Sequence, residues 1–143
     1  MRGVAVKLLP KGGDQMQRPS SIVWFERIMI ATLVLGIINS WLIWPRLVAL
    51  RGPAFAFTID LFTLAVMLAL TLFVSRRGSS IAKWILIALA VLGLPIFLKQ
   101  LAAGELEGVP LITAIQTVGQ IVAYALLFTS ASRQWFKREP IPA

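Results

Sequence analysis

Residues 53–74 read PAFAFTIDLFTLAVMLALTLFV, a run of 22 residues with one charged side chain, Asp60. It matches the roughly 20 apolar residues that an α-helix needs to cross a bilayer, and inside lipid a helix satisfies its own backbone polar groups. Pro53 suits a helix start, because the N–H that proline lacks would have no intrahelical partner there. Working outward, residues 24–44, 84–98 and 110–128 meet or approach the same requirement. The run at 84–98 is the shortest. Lys83 and Lys99 bracket it, and their long side chains are expected to snorkel to the two surfaces and make up the missing length.

Composition agrees with this reading across all 143 residues. Hydrophobic residues make up 58% and charged residues 14%, against about 25% charged in a soluble domain, and mean hydropathy is +0.83. The expected fold class is all-α: an integral membrane four-helix bundle running up-down-up-down. Residues 1–15, with Pro10, Gly12 and Gly13 and no periodic apolar face, are expected to form a disordered cytoplasmic tail. Residues 16–138 are expected to form the four-span domain, and 139–143 a short C-terminal tail. No cleavable leader is expected, since residues 4–9 are few and include Lys7; the first span itself is expected to serve as the targeting signal.

Orientation follows from Lys and Arg, which collect on the cytoplasmic side. Four crossings place Arg2, Lys7, Lys11, Arg18, Arg27, Arg76, Arg77, Lys83, Arg133, Lys137 and Arg138 on one side and Arg46, Arg51 and Lys99 on the other, 11 against 3. Both termini are therefore expected in the cytoplasm. The five Trp fall at span ends, where they are expected to anchor in the interfacial layer: Trp24, Trp84 and Trp135 inside, Trp41 and Trp44 outside. Residues 130–138 carry Arg133, Lys137 and Arg138 beside Trp135 and Phe136, which suits a segment lying on an anionic leaflet. A net charge of +8 then calls for lipid phosphate and not for nucleic acid.

Helices gain nothing hydrophobic by meeting within lipid, so small residues and interhelical hydrogen bonds must hold them. The first span offers Thr32, Gly36 and Ser40 on one stripe, and the fourth offers Gly119 and Ala123. Links at 45–52 and 75–83 are short enough to make adjacent helices antiparallel neighbours, and the link at 100–109 is acidic through Glu105 and Glu107. Ser20 or Ser21 is expected to cap the first helix, and Pro95 to kink the third.

Asp60 is the only carboxylate clearly inside a span. Seven residues from Pro53 place it about 10 Å below the outer end, a depth at which a charge requires a partner or a wet cavity. Asn39 and Gln116 reach the same layer, about 7.5 and 9 Å in. Asp60, Thr63, Met67 and Thr71 share one helix face, and Thr113, Gln116, Gln120 and Tyr124 share another. The candidate polar pocket is therefore Asp60, Asn39, Gln116 and Gln120, with Lys99 and Arg46 close enough in depth to compensate the carboxylate. Two readings are open. In one, Asp60 is neutralised by a cation or by protonation while Asn39 and Gln116 fasten helices. In the other, the cluster lines an outward-opening pocket for a lipid headgroup, another amphiphile, an ion or a proton. Glu26, beside Arg27 at a span edge, reads as a surface-paired carboxylate near Arg76, Arg77 and Arg133.

The chain has no Cys and no His. That excludes disulfide frameworks, the usual zinc sites, a cysteine nucleophile and imidazole proton shuttles, and no P-loop, dinucleotide fingerprint or nucleophile elbow is present. A lone intramembrane Asp also lacks a second acid or base, so no enzyme, cofactor or metal is expected. Two segments carry a likeness. Arg18-Pro19-Ser20-Ser21 running into Phe25-Glu26-Arg27, and Phe128-Thr129-Ser130 followed by Arg133-Gln134-Trp135-Phe136, resemble the two ends of a group of small, uncharacterised four-span proteins of the bacterial inner membrane. The resemblance covers residues 16–138 and implies that compartment without implying an activity. The function expected is non-enzymatic: a scaffold or accessory subunit, holding lipid or another amphiphile in an outer-leaflet pocket. The alternative is a small proton- or cation-coupled transporter or channel component using Asp60. Expected partners are membrane lipids and either further copies of the chain or other membrane proteins.

Overall fold

The computed structural model describes residues 17–105 and 108–137, so the expected tails at 1–15 and 139–143 lie outside the described residues. Within them the chain is all α: α1 (Ser20–Leu42), α2 (Trp44–Arg51), α3 (Pro53–Arg77), α4 (Ser80–Ala103), α5 (Pro110–Leu126) and α6 (Ser130–Phe136). Three of these, α1, α3 and α4, are long and apolar enough to cross a membrane. The helix α5, with 17 residues, reaches the length of a span only together with α6, and the pair bends by 69° at the break between them.

Prolines and glycines set the boundaries. Pro53 and Pro110 open α3 and α5, and Gly78 and Gly104 close α3 and α4 in the left-handed conformation, with φ of +62° and +68°, which favours glycine. Ser79 caps α4 by accepting the Ala82 N–H at 3.2 Å. The cap expected of Ser20 or Ser21 on α1 does not form: Pro19 occupies the cap position, and Ser21 lies 2.9 Å from Ser132 on α6 instead.

Two expectations about length are corrected. The link at 45–52 is largely the helix α2, because Pro45 falls in its first turn, where proline is tolerated, and Gly52 ends it. The third span is not short. Its helix runs 24 residues, about 36 Å, so Lys83 and Lys99 lie within it and no snorkelling is needed to complete the length.

The helix α1 is the centre of the bundle, packing on α5 and on α3, while α4 leans on α3 and not on α5. The small-residue stripes of α1 and α5 meet face to face. A Cβ placed on Gly119 would stand 2.9 Å from Thr32 Cγ2, and one on Gly36 would stand 3.2 Å from Gln116 Nε2. Thr32 can sit buried in this seam because its hydroxyl donates to the Met29 carbonyl at 2.8 Å and leaves no unpaired polar atom.

Burial is concentrated at one end of the bundle. Ile22, Phe25, Met29, Val74, Leu86, Leu127 and Trp135 pack together where α1 and α4 begin and α3 and α5 finish. Elsewhere most large apolar side chains face outward, including Trp41, Leu92 and Leu111. Only 11% of the apolar window of α3 is buried, a surface suited to lipid and not to water. Basic residues divide with the ends: Arg18, Arg27, Arg76, Arg77, Lys83, Arg133 and Lys137 lie at the packed end, Arg46, Arg51 and Lys99 at the other.

Trp135 departs from its expected role. Trp24, Trp41 and Trp84 are exposed, but Trp135 is buried and donates its indole N–H to the Val74 carbonyl at 3.3 Å. The bend after α5 lays α6 across the bundle end, so its aromatic face meets helices instead of lipid while Arg133 and Lys137 stay exposed.

The α1–α5 seam generates a test. Gly119→Val should lower stability by about 1–3 kcal/mol, the usual cost of overpacking, as a fall in the unfolding midpoint in detergent. Adding Thr32→Ser, which removes the opposing methyl and keeps the hydroxyl, should restore part of the loss. An undiminished midpoint for Gly119→Val would contradict the seam.

Candidate functional site

Two cavities open where the bundle is loosely packed. The first, about 440 Å³, lies between α1 and α3 and is lined by Gly36, Ser40, Trp41, Phe57, Asp60 and Thr63, with Gln116 of α5 at its back. The second, about 750 Å³, lies among α3, α4 and α5 and is lined by Met67, Leu94, Phe97, Gln120 and Tyr124, again with Thr63 and Gln116. Thr63, Gln116 and Leu33 line both, so the cavities adjoin at Gln116. The α4–α5 separation accounts for the second cavity, and the absence of bulk at Gly36 accounts for the reach of Gln116 into the first.

The structure thus brings Asp60 to the same groove as Gln116, and Gln120 to the adjoining cavity. It does not bring Asn39 there. The Asn39 side chain spans α1 and the entrance of α5: its Oδ1 accepts the Val109 N–H at 2.8 Å and its Nδ2 donates to Thr113 Oγ1 at 3.2 Å. That N–H precedes the helix and has no intrahelical acceptor, so the amide supplies what the backbone cannot. Gly108, at φ +103°, passes so close that a Cβ there would run into the Asn39 amide.

Arg46 and Lys99 are exposed, and neither forms an ion pair with Asp60 among the described residues. The physical reason is placement: no residue of α2 beyond Trp44, and none of α4, lines the groove that holds Asp60. Asp60 is half-buried and is the one ionisable side chain on that groove among the described residues. No three carboxylates, His or Cys come together among the described residues.

The packed end carries polar structure of its own. Glu26 pairs with Arg18 at 2.6 Å and with Arg76 at 3.4 Å, tying the segment before α1 to the last turn of α3. Ser132 donates to the Leu126 carbonyl at 2.7 Å and accepts from Thr129 at 2.9 Å, which leaves Ser21 as the donor in the 2.9 Å contact between Ser21 and Ser132. Lys83 is buried. Its ammonium lies 5.4, 4.6 and 4.8 Å from the ring centres of Trp84, Phe128 and Phe136, within the roughly 6 Å reach of cation–π attraction, which amounts to about 2 kcal/mol for a desolvated contact. Sequence reasoning missed this cage. The only local signal is a lysine in the first turn of an apolar helix, where the helix dipole disfavours a cation; Phe128 and Phe136 reach it only through the α5–α6 bend.

Replacing Asn39 by Leu should strand the Val109 N–H, at a cost of about 1–3 kcal/mol for an unsatisfied group shielded from water. Hydrogen exchange at the Val109 amide should accelerate in step with the lowered unfolding midpoint, and an unchanged exchange rate would refute the strut. No family model, curated protein or solved structure matches the chain.

Proposed function

We propose that this is a non-enzymatic, four-span protein of the bacterial inner membrane that holds a lipid or a similar amphiphile in its two adjoining cavities and works as a scaffold or accessory subunit. The observation that carries the reading is Gln116. It stands at the junction of the cavities, with Asp60 to one side and Gln120 and Tyr124 to the other, while Leu33, Phe57, Leu64, Met67, Leu94 and Phe97 supply apolar walls. A polar stripe inside an apolar cleft suits a molecule with a hydrogen-bonding head and a hydrocarbon body. Each cavity is within the roughly 300–1,000 Å³ common for small-molecule sites.

The fourth crossing is α5. Its 17 residues rise about 25 Å, close to the roughly 30 Å of hydrocarbon, and α6 then turns along the surface. The uneven division of Lys and Arg between the two ends supports cytoplasmic termini, and the likeness of the two terminal segments supports the bacterial inner membrane. The outward apolar surface leaves room for a second copy or another membrane protein. A second reading, coupled movement of a proton or cation, is favoured by one observation: Asp60 faces its groove with no cationic partner among the described residues.

Lipid mass spectrometry of protein purified in mild detergent tests the first reading. The wild-type chain should retain an amphiphile, and Gln116→Leu combined with Gln120→Leu should reduce retention at least about fivefold, the scale of a lost buried hydrogen bond. No retained amphiphile, or equal retention by the variant, overturns it. Reconstituted Asp60→Asn separates the second reading: loss of a pH-driven flux present in the wild type would establish transport.

A further inference from the structure

Lys83 is a buried cation with no carboxylate within ion-pair distance among the described residues. Its neighbourhood is positive. It sits in the first turn of α4, whose helix dipole presents its positive end there. A second cation, Arg133 of α6, acts on it as a like charge. Arg133 is held in place by its Nε, which donates to the Phe128 carbonyl at 3.2 Å, and the Phe128 ring is the closest wall of the Lys83 cage, at 4.6 Å. The two cations therefore flank one aromatic residue. The outer amino groups of Arg133 have no hydrogen-bond partner among the described residues, and Arg133 itself is exposed.

Two like charges beside a helix N-terminus repel each other, and three aromatic rings offset the isolation of Lys83 without cancelling the repulsion. An anion between them would. An ammonium offers three donors and a guanidinium a planar fork, a set that matches the several acceptor oxygens of a phosphate group. Exposed Ile81 and Trp84 adjoin Lys83, giving apolar surface on which the hydrocarbon of a lipid would rest. Depth agrees as well, since this is the end where Trp24 and the Arg76–Arg77 pair also emerge.

We infer that Lys83 and Arg133 form a binding site for a phosphate-bearing anion at the packed end of the bundle, with the Phe128, Phe136 and Trp84 rings fixing the ammonium in place. The site lies at the opposite end from Asp60 and meets the second cavity only at Phe128, and it does not rest on the amphiphile reading. Two sources carry this chemistry, an anionic phospholipid headgroup and free phosphate.

Native mass spectrometry of the full chain in detergent, titrated with phosphatidylglycerol, with diacylglycerol of the same acyl chains and with inorganic phosphate, tests the site. The wild-type chain should bind phosphatidylglycerol at least about tenfold more tightly than diacylglycerol, as loss of a charge-assisted hydrogen bond implies. Lys83→Gln and Arg133→Gln should each remove most of that preference, Lys83→Arg should keep it, and Lys137→Gln, an exposed cation on the same segment, should change it by less than about twofold. Arg133 is exposed, so Arg133→Gln keeps the test valid even if Lys83→Gln misfolds. Displacement of phosphatidylglycerol by millimolar phosphate identifies free phosphate as the ligand; binding undisturbed by phosphate identifies the lipid. A wild-type chain without preference, or a preference that survives Arg133→Gln, overturns the inference.

Discussion

Close approach of α1 and α5 governs the rest of the structure. Gly119 leaves room for the Thr32 methyl and Gly36 leaves room for the Gln116 amide, so two helices far apart in sequence become the most intimate pair in the molecule. In a lipid environment this steric fit has to supply the attraction that water would otherwise provide. Once α5 is fixed against α1, the α3–α4 hairpin packs through α3 on the remaining side of α1, and α4 rests mainly on α3.

The two ends of the bundle differ as a consequence. At the packed end, the α5–α6 bend returns Trp135 to the α3–α4 turn, where its backbone and indole stand just over 3 Å from the position of a Gly78 Cβ; α3, α4 and α6 close around Phe25 and Met29. Away from that end α4 and α5 stand apart, and the second cavity opens among α3, α4 and α5, adjoining the α1–α3 groove at Gln116. Rigidity and opening thus come from one arrangement. The polar groups at the packed end are mostly satisfied by each other, as in the Glu26 pairs and the Ser21–Ser132–Thr129 hydroxyls, whereas Asp60, Gln116 and Gln120 line the cavities.

Much of this architecture is legible in residue order. The apolar runs, Pro53 and Pro110 at helix starts and the small-residue stripes are local features, and each specifies a helix or a face without reference to its neighbours. The run at 45–52 misleads because Pro45, two arginines and Gly52 have the composition of a link, while proline in a first turn is compatible with the short helix α2. Depth along a helix places Asn39, Asp60 and Gln116 in one layer, yet depth does not say which way a side chain turns. Asn39 turns to the α5 entrance because the Val109 N–H needs an acceptor there, and Lys99 lies on a helix that never reaches the Asp60 groove. The Lys83 cage and the burial of Trp135 depend on the 69° bend between α5 and α6, a tertiary event without a sequence period.

A cysteine pair at positions 32 and 119 measures the governing contact directly, and the chain has no native cysteine to interfere. The 2.9 Å between the Thr32 methyl and a Gly119 Cβ is a separation that a disulfide spans without backbone movement. With Thr32→Cys and Gly119→Cys together, mild oxidation in lipid should give a rapid crosslink within one chain, while Leu94→Cys with Ile121→Cys, across the second cavity, should crosslink far more slowly. A 32–119 pair that stays reduced, or a 94–121 pair that closes as fast, would contradict the account.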